Sequence, residues 1–249
     1  MKKLGIVAVM LVLAASVGAG LLPGTSLAQE PPTCVMIYVV QPGDWLSKIA
    51  GGYLGDVLAY DQIVAANNAD PNDAYPDIQN PDLIEPGLQL CIPEGAVAAP
   101  AGLKVRDLAN ATYLTEWTPT GTVTLSQGVF SEPSAPGSAS MLTIRLTRHL
   151  DWGQLNEQDA AAVVLVSDGG GSGTFYELHA VVAPEGQTTD VAWTLLGDRV
   201  QINSVAIENN EIVVDMVEAG PNDPLCCPTQ AVIKHYALQG DQLVETSSQ

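Results

Sequence analysis

Basic residues are scarce in this chain of 249 residues. It holds 9 Lys and Arg against 28 Asp and Glu, which gives a formal net charge of -19 at pH 7. Nucleic-acid binding relies on clustered Lys and Arg that contact phosphates, so this balance argues against that class of partner. It argues equally against docking on anionic lipid headgroups. We therefore expect neither nucleic acid nor a charged membrane surface as a partner.

Long hydrophobic runs are missing after the first residues of the chain. Residues 5–19 form an apolar run after Lys2 and Lys3, and small residues occupy the cleavage-critical positions of Ser26-Leu27-Ala28. This pattern predicts a signal peptide at residues 1–28 and an exported protein. No later stretch has the ~20 apolar residues that a spanning helix needs, so we expect no membrane span after signal removal.

Motifs for catalysis and metal binding are missing as well. His149, His179 and His235 are isolated in the sequence, whereas a zinc site needs several convergent ligands. The glycines of residues 168–173 have neither the spacing of a nucleophile elbow nor a following phosphate-loop lysine, so they predict a turn. In residues 151–159, Gln154 and Gln158 fill places where a calcium loop needs carboxylates, and the glycine that shapes the turn of such a loop is missing. We predict no catalytic residue, no metal and no cofactor.

Residues 38–93 carry the most informative pattern. The β-branched residues 38–40 predict a strand, and Pro42-Gly43 predicts the turn that follows it. Asp44 precedes an apolar helical face that begins at Trp45, so we expect Asp44 to cap a first helix.

The second half of the same stretch predicts another helix and another strand. The helix starts near residue 56 and ends at Asn67-Asn68. Pro86-Gly87 predicts a turn, and residues 88–92 alternate between apolar and polar as a strand does.

This order of elements resembles the LysM domain, a small carbohydrate-binding module. The likeness rests on an opening string, a closing string and Asn67 between them: Tyr38-x-Val40-x-x-Gly43-Asp44-x-Leu46-x-x-Ile49-Ala50 and Ile84-x-Pro86-Gly87-x-Gln89-Leu90-x-Ile92-Pro93. The resemblance implies a βααβ fold that binds N-acetylglucosamine-containing glycan, which means peptidoglycan or chitin.

The resemblance also implies which residues contact the sugar. A shallow groove would lie between residues 43–46 and residues 83–87, with Trp45 or Leu46 against the ring faces. The implied glycan-binding residues are Gly43, Asp44, Trp45, Leu46, Asn67, Leu83, Ile84, Glu85, Pro86 and Gly87. The alternatives are a plain helix cap for Asp44 and a half-buried core position for Trp45.

Four cysteines in an exported chain predict two disulfides. Cys34 lies just before the first strand of the module and Cys91 lies within the second. These strands pair antiparallel in a LysM-like fold, so the resemblance implies a disulfide between the two cysteines. Cys226 and Cys227 then form either a vicinal disulfide or a pair packed in a turn. No basic neighbour marks either of them as a reactive thiolate.

The remainder of the chain predicts strands. Residues 94–103 are small and proline-punctuated, which is typical of a linker. Residues 104–249 then predict a turn or two of helix at 105–113 and a mainly antiparallel β domain of unknown function and partner. The predicted strands are residues 122–125, 141–147, 160–166, 174–182, 191–196, 200–207, 211–217 and, as the last one, 232–238. The fold class is therefore α+β.

The favoured hypothesis is a secreted, non-catalytic, cell-wall-associated protein that binds glycan through one LysM module. Two alternatives stay open. In one, the β domain is a cell-wall hydrolase of unrecognised type, whose paired carboxylates would come from Glu116, Glu177, Glu208 or Glu211. In the other, the module does not bind sugar and the chain is a structural or interaction protein.

Overall fold

The computed structural model describes residues 33–70, 74–95, 99–171, 173–224 and 226–248. The predicted signal peptide lies outside the described residues. The elements in chain order are β1 (Cys34–Val39), α1 (Leu46–Leu54), α2 (Tyr60–Asn68), β2 (Gln89–Pro93), α3 (Val105–Leu108), β3 (Thr112–Leu114), β4 (Thr122–Thr124), β5 (Val129–Pro133), β6 (Met141–Leu155), β7 (Gln158–Asp168), β8 (Phe175–Val182), β9 (Thr189–Asp198), β10 (Gln201–Glu208), β11 (Glu211–Glu218), β12 (Gln230–Gln239) and β13 (Gln242–Ser248). Short helices followed by antiparallel sheets confirm the α+β class.

The N-terminal module has the predicted order of strand, two helices and strand. β1 and β2 pair antiparallel, with Tyr38 opposite Leu90. α1 ends at Gly55, whose φ of 72° is the left-handed conformation that favours glycine at this position. The apolar faces of the helices pack on the two strands, and Ile49, Tyr53 and Ile63 are fully buried between them.

A five-stranded antiparallel sheet, in the order β5-β6-β7-β8-β9, forms the central layer of the protein. Both of its faces are covered. On β7, Ala161, Val163 and Leu165 belong to the core shared with the N-terminal module, whereas Ala160 and Val164 belong to a second core on the opposite face. Burial on both faces explains why the sequence of this strand is a continuous apolar run rather than an alternating one.

A four-stranded sheet, in the order β10-β11-β12-β13, packs on that opposite face. The core between the two sheets includes Leu178 from β8 and Ile212, Val214 and Met216 from β11. The predicted tight turn between β10 and β11 is confirmed, and Asn209-Asn210 take positive φ values of 51° and 69°. Such a turn matches the right-handed twist of the strands that it joins.

The N-terminal module shares its core with the five-stranded sheet. α1 approaches β6 so closely that a Cβ atom on Gly52 would lie 2.2 Å from the carbonyl oxygen of Arg148. Tyr53 donates its hydroxyl to the Leu146 carbonyl at 3.2 Å. The end of the predicted linker also belongs to this core, because Leu103 is fully buried and accepts a hydrogen bond from Trp152 Nε1. Leu103, the last residue of the predicted linker at residues 94–103, is therefore part of the core.

Other parts of the predicted β domain differ from the structure in length or type. β6 continues to Leu155 instead of ending at residue 147. The helical stretch predicted at residues 105–113 is the single turn α3, and β3 follows it. β12 is not the last strand, since β13 pairs with it. β5 and β13 escaped prediction because they are short, polar and largely exposed.

Candidate functional site

Two loops leave the same end of the β1–β2 ladder. Val40 donates its N–H to the Leu88 carbonyl at 2.9 Å, and its carbonyl accepts from the Gly87 N–H at 2.8 Å. These bonds hold the start of the β1–α1 loop next to the loop before β2. Gly43 and Gly87 take φ values of 85° and 91°, a conformation that favours glycine in such turns. The structure therefore brings together the two segments predicted to form the groove.

The two loops also carry exposed apolar side chains. Trp45 is 55% exposed on the first loop and Leu83 is 67% exposed on the second. Lys48 Nζ lies 3.8 Å from the Trp45 ring centroid, a cation–π contact that holds the indole at the surface. The core alternative for Trp45 is wrong. Glu85 and Pro86 are exposed beside Leu83.

Other predicted sugar contacts are buried. Leu46 is 2% exposed and belongs to the core, and Ile84 is partly buried and packs against the same core. Leu46 therefore cannot lie against a sugar ring, which corrects that part of the prediction.

Asp44 does not cap α1, which begins without a side-chain cap. Its carboxylate instead accepts from the Tyr38 hydroxyl at 2.5 Å, from the Gln41 N–H at 2.8 Å and from Arg148 Nε at 3.2 Å. Burial and this carboxylate raise the pKa of Tyr38 well above its ordinary value. Asp44 thus fixes the loop and joins the module to β6, and the expected helix cap is wrong.

Asn67 holds the module together and has no polar atom left for a ligand. It is 1% exposed. Its Nδ2 donates to the carbonyls of Ile63 at 2.7 Å and Cys91 at 3.0 Å, and its Oδ1 accepts from the Cys91 N–H at 3.0 Å. These bonds tie α2 to β2. The predicted role of Asn67 in glycan binding is therefore wrong, because its side chain is enclosed and fully bonded.

The cysteines differ in part from the prediction. Cys34 and Cys91 are free thiols in the structure, so the implied disulfide is not formed. A hydrogen bond from Cys91 lowers the pKa of the Cys34 thiol to about 6. Cys226 and Cys227 form a vicinal disulfide in the loop between β11 and β12.

A buried polar cluster lies on β8, where the His179 ring contacts the ring of Tyr113 on β3. His179 Nδ1 is 2.9 Å from Asp190 Oδ2, and both side chains are buried. Glu177 accepts from Thr115 Oγ1 at 3.3 Å and from Ser167 Oγ at 3.0 Å. Burial raises the pKa of Glu177 above its ordinary value of 4.5. Sequence reasoning missed this cluster, although two ionisable residues at alternate positions of an apolar strand were a usable signal.

The remaining histidines and candidate glutamates lie at different places in the structure. His149 lies on β6, and burial together with Arg148 lowers its pKa to about 3. His235 Nδ1 is 3.2 Å from Glu211 Oε2 on the neighbouring strand. Glu116 and Glu208 are exposed. In the described ranges, no group of three or more His, Cys, Asp and Glu side chains is placed to hold a metal ion.

Within the same ranges, no helix combines the length and apolarity needed to cross a bilayer.

Comparison with known proteins identifies the N-terminal module. Residues 38–93 match the model of the LysM domain. An uncharacterised protein of Deinococcus radiodurans is 49% identical over 57 residues, which are 23% of this chain and 19% of that protein. The match thus spans about a fifth of the length of this relative. No solved structure matches the chain. Residues 38–93 are a LysM domain, and the rest of the chain is not assigned to any family.

Proposed function

We propose that this protein is secreted, associates with the cell wall and binds N-acetylglucosamine-containing glycan, foremost peptidoglycan, through its LysM domain. The observation that carries the proposal is the exposure of Trp45 and Leu83 on the two loops that leave one end of the β1–β2 ladder. LysM domains suggest binding to N-acetylglucosamine polymers, and they are typical of extracellular or wall-associated proteins.

The loops offer the contacts that a sugar needs. An exposed indole stacks on the apolar face of a pyranose ring, and burying apolar area yields about 25 cal/mol per Å². Gly43 and Gly87 have no side chain, and a Cβ atom at either would meet nothing within 4 Å, so the backbone there is open to approach. Exposed peptide groups next to these glycines would hold the acetamido groups. One domain gives no avidity, so we expect modest affinity.

Point variants test this proposal better than removal of the domain. Deleting residues 38–93 would strip one face of the five-stranded sheet, because the module and that sheet share a core. We would measure co-sedimentation with insoluble peptidoglycan and with chitin for the wild type, Trp45→Ala and Leu83→Ala. Ile233→Ala is the matched control, since Ile233 is also large, apolar and exposed but lies on β12.

We expect the wild type and Ile233→Ala to sediment with the polymer and Trp45→Ala to stay largely in solution. Truncating an exposed aromatic anchor in a binding site typically costs about 2 kcal/mol or more, which is over tenfold in affinity. If the wild type does not sediment with either polymer, or if all variants sediment alike, the groove is not the binding site and the proposal fails.

The absence of catalysis is part of the same proposal. We expect no soluble fragments when peptidoglycan is incubated with the protein. The most testable alternative centre is the buried Glu177 beside His179. Release of muropeptides or reducing ends by the wild type, and its loss in Glu177→Gln, would replace the binding protein with a hydrolase.

A further inference from the structure

A cleft of about 620 Å³ lies at the surface where the LysM domain meets the two large sheets. Its walls come from the β1–α1 loop, from β6 and from β10, with Gly43, Asp44 and Arg148 among the lining residues. A second cavity of about 330 Å³ is also lined by Lys48 and Arg148, so the two cavities adjoin. The cleft reaches the same loop that carries Trp45.

Several cationic side chains line this cleft although the chain is strongly acidic. Lys48, Arg145 and Arg148 line it, against the carboxylates of Asp44 and Asp168. Asp44 pairs with Arg148, whereas Asp168, whose Oδ1 accepts from the Gly170 N–H at 2.9 Å, keeps its negative charge. Three cations against two carboxylates leave the cleft with one net positive charge.

Two of these cations have no acidic partner. In the part of the chain that the structure describes, every Lys and Arg except Lys48 and Arg145 forms an ion pair with a carboxylate. The pairs are Lys104 and Arg106 with Glu94, Arg148 with Asp44, Arg199 with Asp198, and Lys234 with Glu218 and Glu245. Two unpaired cations in one cleft of a chain with net charge -19 form a local site for an anion.

His149 also lines the cleft but adds no charge to it. Burial is the main reason that its pKa falls to about 3; the charge of Arg148 lowers it further, the charge of Asp44 opposes this, and that of Lys48 lowers it again. His149 is therefore neutral near pH 7 and leaves the positive charge to the lysine and the arginines.

Lys48 connects the cleft to the candidate groove. Its ammonium donates to the Gly43 carbonyl at 3.2 Å and lies 3.8 Å from the centroid of the Trp45 ring. A sugar held at Trp45 would thus place its substituents near Lys48. Arg145, half-buried on β6, lines the same cleft. Its planar guanidinium can bind a carboxylate with two parallel hydrogen bonds.

We propose that this cleft binds a carboxylate carried by the glycan, and that the protein therefore prefers acid-substituted N-acetylglucosamine polymers to neutral ones. The inference rests on the proposed function, since it assigns the substituent of a glycan held by the LysM domain. In peptidoglycan the carboxylate has two sources, the lactyl ether of muramic acid and the attached peptide.

Calorimetric titration with matched ligands tests the preference. The ligands are N-acetylglucosamine tetramer, a tetrasaccharide of alternating N-acetylglucosamine and N-acetylmuramic acid, the methyl ester of that tetrasaccharide, and its peptide-substituted form. We expect the wild type to bind a carboxylate form about tenfold more tightly than the ester and the neutral tetramer. A hydrogen bond to a charged group typically contributes enough binding free energy for a tenfold change in affinity. A preference for the lactyl form or only for the peptide form identifies which carboxylate is bound.

Variants assign the preference to the cleft. Arg145→Gln should remove most of the difference between acid and ester and leave affinity for the neutral tetramer unchanged, while Arg145→Lys should keep part of the difference. Arg106→Gln is the control, because it also removes one positive charge but lies on α3 outside the cleft. Equal affinity of the wild type for acid and ester, or an equal loss for every ligand in Arg145→Gln, would overturn the inference and leave the proposed function standing. Binding of none of the ligands would overturn both.

Discussion

Two neighbouring residues at the start of α1 differ in solvent exposure. Trp45 projects into solvent, whereas Leu46 is enclosed in the core. The helical pattern predicted an apolar face that begins at Trp45, whereas the buried face begins at Leu46. Asp44 contacts Tyr38 and Arg148 instead of capping the helix. The sequence could suggest the groove from its glycines and prolines. It could not show that Asn67 is enclosed, since enclosure depends on β2, which lies far along the chain.

Asn67 should matter for stability rather than for sugar binding. Asn67→Ala removes three hydrogen bonds and leaves the Cys91 N–H and carbonyl without their side-chain partner. We expect the free energy of unfolding to fall by about 2 kcal/mol or more, as for other buried polar groups that lose a partner. Urea denaturation measures this change.

The matched control for this variant is Asn203→Ala, since Asn203 is exposed and hydrogen-bonded only to Asp215 among the described residues. Its effect should stay within about 0.5 kcal/mol. Similar values for the two variants would show that the Asn67 bonds do not stabilise the module.

Glu177 should make stability depend on pH. Burial raises its pKa in the folded state above the ordinary value of 4.5, so the folded protein binds more protons than the unfolded chain. Stability that is present at and below the ordinary pKa is therefore lost as pH rises through the folded-state pKa. Gln has the same shape and no charge to bury, so Glu177→Gln should gain in stability relative to the wild type as pH rises towards neutrality.

The measurement is the difference in unfolding free energy between Glu177→Gln and the wild type at a series of pH values. Other titrating groups are common to both proteins and cancel in this difference. A difference that stays constant with pH, or moves in favour of the wild type as pH rises, contradicts a raised pKa.

At the scale of elements, alternation and apolar runs predicted most strands of the large sheets, because each strand has at least one buried face. The hydrophobic pattern is weaker in strands that have few buried residues. β5 and β13 are mostly exposed and were missed, and the single turn α3 is too short for helical periodicity. The close contact of α1 with β6 was not predictable, since a glycine in a helix does not reveal what lies against it.

Gly52 should set the distance between the module and the sheet. An added Cβ would meet the Arg148 carbonyl oxygen, which belongs to the backbone of β6 and cannot swing aside. Gly52→Ala should therefore lower the free energy of unfolding by about 1–3 kcal/mol, despite the better helix propensity of alanine. Thermal and urea unfolding both measure this loss.

Gly51→Ala is the control, because it makes the same change one residue earlier in α1. Its Cβ would meet only a side-chain carbon of the exposed Val57, at 3.0 Å. If Gly52→Ala is as stable as Gly51→Ala, the helix can move away from β6 without cost and the contact is not a constraint.

At the scale of the whole molecule, the five-stranded sheet is a central layer with the LysM domain on one face and the four-stranded sheet on the other. The sequence predicted a module, a tether and a β domain. The structure instead extends the core of the module into the sheet through Tyr53 and Leu103. Docking of this kind fixes the loop of Trp45 against β6 and creates the cleft beside it.

The most direct test of glycan binding by the LysM domain is a map of amide chemical shifts during titration of the isotope-labelled protein with N-acetylglucosamine tetramer. If the two loops bind the glycan, the amide signals of residues 43–48 and 83–88 shift and saturate, and those of β11, β12 and β13 change little. Shifts confined to the four-stranded sheet, or no shifts at all, would contradict the claim that the LysM domain binds glycan through these two loops.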